Sequence, residues 1–143
     1  MANIDRADWH YGGNYPAGLP PENGGTHIGI YLAWVVHRNL GSKELVQLGG
    51  ETYQRVLKRE ATGRDLLFTE LDEKFFDRLL TRECRAFTEA YYESNEYLND
   101  YDRVLGGNLA SLYHVADTWE TYDKIEPVLD ERFEAWRAAQ RPA

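Results

Sequence analysis

Two short stretches near the start of the chain hold the residue types that carry acid–base and metal chemistry. The first reads Asp8-Trp-His-Tyr-Gly-Gly, and the second reads Glu22-Asn-Gly-Gly-Thr-His-Ile-Gly. Together they supply two carboxylates and two imidazoles, which are the groups needed for proton transfer or for a metal site. One candidate ligand site, in an enzyme or a small-ligand protein, therefore consists of Asp8, His10, Glu22 and His27.

A structural interpretation of the same stretches competes with the ligand site. Paired metal ligands on a helix usually follow a pattern such as His-x-x-x-His, which is missing from the sequence, as are cysteine-based zinc patterns and phosphate-binding loops. The glycines permit positive φ angles, and the histidines can bond stray backbone groups while Trp9 covers the core. The N–H groups that follow Gly24 could also hold an anion, for which an internal aspartate is favoured. We therefore expect no metal, no cofactor and no catalytic residue.

A third stretch, residues 89–102, combines five acids and four tyrosines without a single base. Carboxylates steer a cationic partner towards a surface, and tyrosines are favoured hot-spot residues, so the stretch predicts an interface. The alternative is a solvated acidic helix whose tyrosines pack on the core. The residues that we expect to contact a partner are Glu89, Tyr92, Glu93, Glu96, Tyr97, Asp100, Tyr101 and Asp102.

The charge distribution favours a basic protein as the partner. Acids and bases balance in residues 1–69, so residues 70–143 carry the whole formal net charge of −8. This excess argues against nucleic acid, whose phosphates are neutralised by Lys and Arg. The longest apolar run, residues 28–36, is shorter than the roughly 20 residues that a membrane span needs. The lone Cys84 excludes an internal disulfide, and with no recognisable secretion signal it predicts a cytoplasmic protein.

A mainly α single compact domain must position these stretches, because 143 residues fit one domain and helical periodicity dominates the sequence. We expect an extended loop rich in Gly, Pro and aromatics over residues 1–26, packed on a helical body over residues 27–140. An apolar helix at about 27–39 lies at the centre of this body. We also predict a helix that ends near Gly63, a helix that begins at Asp72, a helix that follows a cap at Thr81 and a short helix over about 97–105. The last predicted helix has Pro127 in its first turn.

The sequence also resembles a family. Ala7-Asp-Trp-His-Tyr-Gly-Gly and the stretch from Glu22 to Gly29 resemble the opening of a bacterial family of small uncharacterised cytoplasmic proteins. Similar segments are Ala86-Phe-Thr-Glu-Ala-Tyr-Tyr and the stretch from Trp119 to Trp136, so the likeness covers most of the chain. Members are similar in size and character to immunity proteins that neutralise polymorphic toxins. The resemblance implies a non-enzymatic module that occludes the active site of a cognate, basic toxin.

Overall fold

Helices make up most of the structure, a computed structural model that describes residues 2–140. Two short strands, β1 (Asn3–Arg6) and β2 (Lys74–Phe76), pair antiparallel. Single turns of 3-10 helix lie at Pro21–Gly25, Asp77–Leu79 and Leu112–His114, and a π turn lies at Asp102–Gly106. The predicted mainly α class is confirmed. The α-helices of the described residues are α1 (Ala7–Tyr11), α2 (Thr26–His37), α3 (Lys43–Leu57), α4 (Gly63–Glu70), α5 (Arg82–Tyr91), α6 (Glu96–Tyr101) and α7 (Trp119–Gln140).

Helix α2 is the central helix, as its apolar composition predicts. Every residue from Thr26 to Val36 is buried, because the other elements surround the helix. Trp34 packs against Phe87 and Phe133 with ring centroids 5.7 and 5.5 Å apart. Its indole Nε1–H donates to Asp130 Oδ1 at 2.9 Å, so α2 is joined to α7 by a polar contact as well as by aromatic packing. Within the described residues, no helix is both long and apolar enough to cross a membrane.

Helices α2 and α4 are in backbone contact at Gly29 and Gly63, where a side chain larger than hydrogen would not fit. A Cβ built on Gly63 would lie 1.8 Å from the carbonyl oxygen of Gly29, which is far inside the van der Waals distance. Only glycine at position 63 therefore lets the backbones meet. Thr62 caps α4 at the same point, since its hydroxyl accepts from the Asp65 N–H while the Asp65 carboxylate accepts from the Thr62 N–H.

The N-terminal segment is more regular than the predicted loop. Residues 1–26 were expected to lack helices and strands, but they contain β1, α1 and a 3-10 turn. Each of these elements has only four or five residues, which is too short to show a period in the sequence. Strand β1 exists because it pairs with β2, in the register Asp5 with Phe75 and Arg6 with Lys74.

Three other boundaries differ from the sequence prediction. The helix expected from Asp72 is instead strand β2 followed by a 3-10 turn, because the phenylalanines pair with the N-terminal strand. Thr26 is the first residue of α2 and Gly25 takes the cap position. Helix α7 begins at Trp119, so Pro127 lies inside it. The cap at Thr81 is confirmed, because its hydroxyl accepts from the Cys84 N–H at 3.3 Å.

Candidate functional site

The structure brings two of the four predicted N-terminal ligands together and replaces the others. His10 of α1 and His27 of α2 lie with their ring centroids 4.3 Å apart. Asp8 was predicted to join them, but its carboxylate binds the Arg6 guanidinium at 2.8 and 2.9 Å. Glu22 is exposed and does not reach them. The carboxylate between the two imidazoles belongs to Asp5, so the ligand site predicted with Asp8 and Glu22 is wrong in those two members.

Strand β1, which precedes α1, and the 3-10 turn that precedes α2 position this cluster. The register of β1 is irregular between Asn3 and Asp5, which turns the Asp5 side chain inward opposite Phe75. Gly24 lets α1 lie directly on the turn before α2, because a Cβ there would meet the Ala7 carbonyl oxygen at 3.2 Å. His10 is thereby held beside the buried first turn of α2.

The Asp5 carboxylate accepts four hydrogen bonds. His10 Nε2 lies 2.8 Å from Oδ1, which also accepts from the Arg6 N–H at 2.8 Å. His27 Nε2 lies 3.1 Å from Oδ2, which also accepts from the Tyr92 hydroxyl at 2.6 Å. Two donors on each oxygen use the acceptor capacity of an ionised carboxylate. We call Asp5, His10 and His27 the His–Asp–His cluster.

Burial and hydrogen bonding shift the pKa values of Asp5 and His27. Burial by itself would raise the pKa of Asp5, but the hydrogen bonds from His10 and His27 outweigh it and hold that pKa well below its usual range. Burial lowers the pKa of His27, against the opposing effect of Asp5. Near neutral pH, Asp5 is therefore a carboxylate and His27 is a neutral imidazole that donates its Nε2–H.

Tyrosines surround the cluster and connect it to the surface. The Tyr113 hydroxyl lies 2.8 Å from His10 Nδ1, and the Tyr97 hydroxyl donates to the His27 carbonyl oxygen at 2.6 Å. His27 Nδ1 is buried and has no hydrogen-bond partner among residues 2–140. His27 is fully enclosed, whereas the His10 side chain is 17% exposed. A carboxylate between two imidazoles with one accessible edge can hold a proton or a cation.

The tyrosines of residues 89–102 are part of the core. Tyr92, Tyr97 and Tyr101 are buried, and the first two pack on Tyr31 of α2 with ring centroids 5.0 Å apart. The prediction that these tyrosines contact a partner is therefore wrong for the folded chain. Their ring bodies fill the space between α2 and α6, which is the packing that the alternative interpretation describes.

Asp100 is also buried and has a structural role. Its carboxylate accepts from Tyr91 Oη at 2.6 Å, from Arg132 Nε and Nη2 at 2.9 and 3.0 Å, and from Arg103 Nη2 at 3.2 Å. This network joins α5, α6 and α7 at one point. The prediction that Asp100 faces a partner is thus wrong, because its lone pairs are already used inside the protein.

The remaining acids of this stretch do lie on the surface. Glu89, Glu93, Glu96 and Asp102 are exposed, and we call these four residues the acidic surface. None of them forms an ion pair with another described residue. The contact at Glu96 is with the Ser94 hydroxyl at 3.3 Å. Half of the predicted partner-binding residues are therefore free to meet a partner.

Trp9, which was expected to cover the core, is 53% exposed. Its ring lies beside the Arg6 guanidinium, 5.9 Å from the ring centroid. The covering role falls instead to Ala7, which is the buried residue of α1. A helix of five residues can bury only one face, and Trp9 lies on the other.

Comparison with known proteins gives a family and no activity. A family model described as a domain of unknown function (DUF7832) matches residues 3–115. No curated protein and no solved structure matches the chain. The matched residues include the His–Asp–His cluster, Tyr113 and the acidic surface, whereas α7 lies outside them. The chain belongs to the family of this domain of unknown function.

Proposed function

We propose that the chain is a non-enzymatic protein-binding module whose acidic surface binds a basic protein. The observation that carries this proposal is the contrast between two sets of exposed acids. On α7, Asp123 pairs with Arg59 at 2.6 Å and Asp130 pairs with Arg38. No cation among residues 2–140 lies within ion-pair distance of the four carboxylates of the acidic surface, although Arg85 lines the same groove as Glu89 and Glu93. Their charge is therefore available to an incoming partner.

A groove beside the acidic surface offers a place for a cationic side chain. The groove has a volume of about 260 Å³ and lies between the start of β1 and α5. Burial raises the pKa of Glu93, and the nearby charges of Glu89 and Asp77 raise it further, which supports a groove with more negative than positive charge. An arginine or lysine of a partner would relieve this repulsion. The lining residues are Ala2, Asn3, Ile4, Asp77, Arg85, Glu89 and Glu93.

The partner that we propose is a bacterial toxin with a basic active-site cleft. The resemblance of the chain to a family whose members are similar in size and character to bacterial immunity proteins supports this choice, and so does the formal net charge of −8. Occupation of a basic cleft by carboxylates would exclude an anionic substrate without any chemistry by the inhibitor. Because the tyrosines are buried, we expect charge to provide the speed of association and the groove to provide the specific contact.

Inhibition of the toxin by matched charge variants tests the proposal. Co-purification from the native host, with the partner identified by mass, supplies the toxin, and its activity is then titrated with the purified chain. We expect full inhibition at one chain per toxin. One variant carries Glu89→Lys, Glu93→Lys and Glu96→Lys, and its control carries Glu22→Lys, Glu51→Lys and Glu60→Lys, which are exposed acids outside the acidic surface.

The two variants have the same overall charge and differ only in its position. Each replacement adds two charges, so both change the formal net charge from −8 to −2. The proposal expects at least about tenfold weaker inhibition by the first variant and unchanged inhibition by the control. Equal inhibition by the two variants, or a partner that is not basic, would contradict it.

A further inference from the structure

We propose that the His–Asp–His cluster is a binding site for a divalent transition-metal ion. Asp5, His10 and His27 each offer one ligating atom, and these atoms all lie within 4.8 Å of one another. Two imidazoles and one carboxylate are a donor set that suits zinc and iron(II). The His–Asp–His cluster shares no residue with the acidic surface, so this inference does not depend on whether the acidic surface binds a partner.

The separations in the cluster are close to those that one metal ion imposes. Zn–N and Zn–O bonds are about 2.0–2.2 Å long, so two ligands of one ion lie roughly 3.0–3.4 Å apart at angles near 90–110°. The His10 and His27 Nε2 atoms lie 2.8 and 3.1 Å from the two oxygens of Asp5. Each Nε2 faces a different oxygen of Asp5, so metal binding requires the two imidazoles to lose their Nε2 protons and to rotate until their lone pairs and a carboxylate oxygen converge on one point.

Two of the surrounding hydroxyls can orient two of the three ligands, His10 and Asp5, whereas His27 Nδ1 has no partner among residues 2–140. When Nε2 of a neutral histidine binds a metal, the ring proton must be on Nδ1. The Tyr113 hydroxyl oxygen lies 2.8 Å from His10 Nδ1 and can accept a hydrogen bond from Nδ1–H, while the Tyr92 hydroxyl donates to Asp5 Oδ2 at 2.6 Å. Such outer hydrogen bonds to both histidine and carboxylate ligands are typical of metal sites.

The ligands come from three separate elements, namely β1, α1 and α2. A bound ion would therefore fasten the N-terminal segment to the central helix. Three protein ligands leave at least one coordination position for water or another small ligand. The partly exposed His10 marks the edge of the cluster from which an ion can enter.

Titration of the chelator-treated full chain with Zn²⁺ tests this inference, with the heat of binding as the first measurement. Visible absorption after addition of Co²⁺ reports the coordination geometry of the bound ion separately. We expect one ion per chain, about 100-fold weaker binding by His10→Gln, and roughly 10–100-fold weaker binding by Tyr113→Phe. His10 is chosen because it lies at the edge, so its replacement disturbs the core less than replacement of the enclosed His27.

His114→Gln is the matched control, because His114 is also partly buried and binds a hydroxyl, that of Ser111, at 2.8 Å. The control should bind Zn²⁺ as the wild type does, and circular dichroism should show that all variants are folded. Three results would overturn the inference: no Zn²⁺ or Co²⁺ binding by the wild type, equal binding by wild type and His10→Gln, or an equal loss in His114→Gln. Any of these would leave the cluster as a network of hydrogen bonds only.

Discussion

Replacement of Asp100 by asparagine should destabilise the fold without changing partner binding. Asp100 is 3% exposed and lies at the point where α5, α6 and α7 meet. Its carboxylate takes bonds from Tyr91, Arg103 and Arg132. Asparagine has nearly the same shape, so the substitution removes the negative charge while keeping an acceptor for the Tyr91 hydroxyl.

The expected loss of stability depends on how far Arg132 and Arg103, which bind the Asp100 carboxylate, are exposed to solvent. A hydrogen bond to a charged group contributes about 1.5–3 kcal/mol in a buried setting. The Arg132 and Arg103 side chains are 47% and 63% exposed, so solvent screening reduces each ion pair to roughly 0.2–1 kcal/mol. We therefore expect the free energy of unfolding of Asp100→Asn to fall by about 2 kcal/mol at neutral pH.

The loss should depend on pH in one direction. Burial alone would raise the pKa of Asp100, but the hydrogen bonds from Arg132, Tyr91 and Arg103 outweigh it and lower that pKa. The pKa of Asp100 is therefore lower in the folded chain than in the unfolded chain, where it is about 3.9. The stability that the ionised carboxylate contributes is complete above about pH 3.9 and is lost as the pH falls through the folded-state pKa. The difference between wild type and variant should therefore close in acid.

Urea unfolding of both proteins at pH 7, and at several values below about pH 4, measures this difference. Asp102→Asn is the control, since Asp102 is an exposed acid two residues away and should leave stability unchanged. Equal stability of Asp100→Asn and wild type at pH 7, or a difference that persists unchanged in acid, would refute the structural role. If Asp100→Asn bound the partner more weakly but had normal stability, Asp100 would belong to the binding interface and not to the core.

Three further predictions concern packing and exposure. Gly63→Ala should lower the free energy of unfolding by about 1–3 kcal/mol or more, because its Cβ would lie 1.8 Å from the Gly29 carbonyl oxygen; an unchanged melting temperature would contradict this. Trp9→Ala should cost no more than about 0.5 kcal/mol, since the ring is half exposed, and a loss several times larger in urea unfolding would show that the ring is buried. Burial raises the pKa of the Cys84 thiol to about 12, so a thiol reagent near neutral pH should label it only after unfolding. Rapid labelling of the folded chain would place Cys84 at the surface.

The sequence predicted best the element that has one dominant pattern, whereas the start of the longer helix α7 was missed. Helix α2 is apolar on all sides, and its burial at the centre follows directly from that composition. The N-terminal strand and helix were missed because four or five residues are too few for a period. Strand β1 depends on pairing with residues 74–76, a contact that local sequence cannot show.

The candidate site was predicted in part for the same reason. The two histidines were identified from their residue type and from the glycine-rich stretches around them. The choice of Asp8 over Asp5 was wrong because the direction of each carboxylate depends on the strand pairing and on Arg6, which takes Asp8. A signal was present for Asp100, however. Tyr97, Asp100 and Tyr101 follow the i, i+3, i+4 spacing of one helix face, which is the face that α6 buries.

The most direct test of the proposed function is the rate at which the purified partner associates with the chain at low and at high salt. We predict that Glu89→Lys, Glu93→Lys and Glu96→Lys together slow association at least about tenfold at low salt, and that this difference disappears at high salt. The control with Glu22→Lys, Glu51→Lys and Glu60→Lys should associate at the wild-type rate. Equal rates for the two variants at both salt concentrations would show that the acidic surface does not steer the partner.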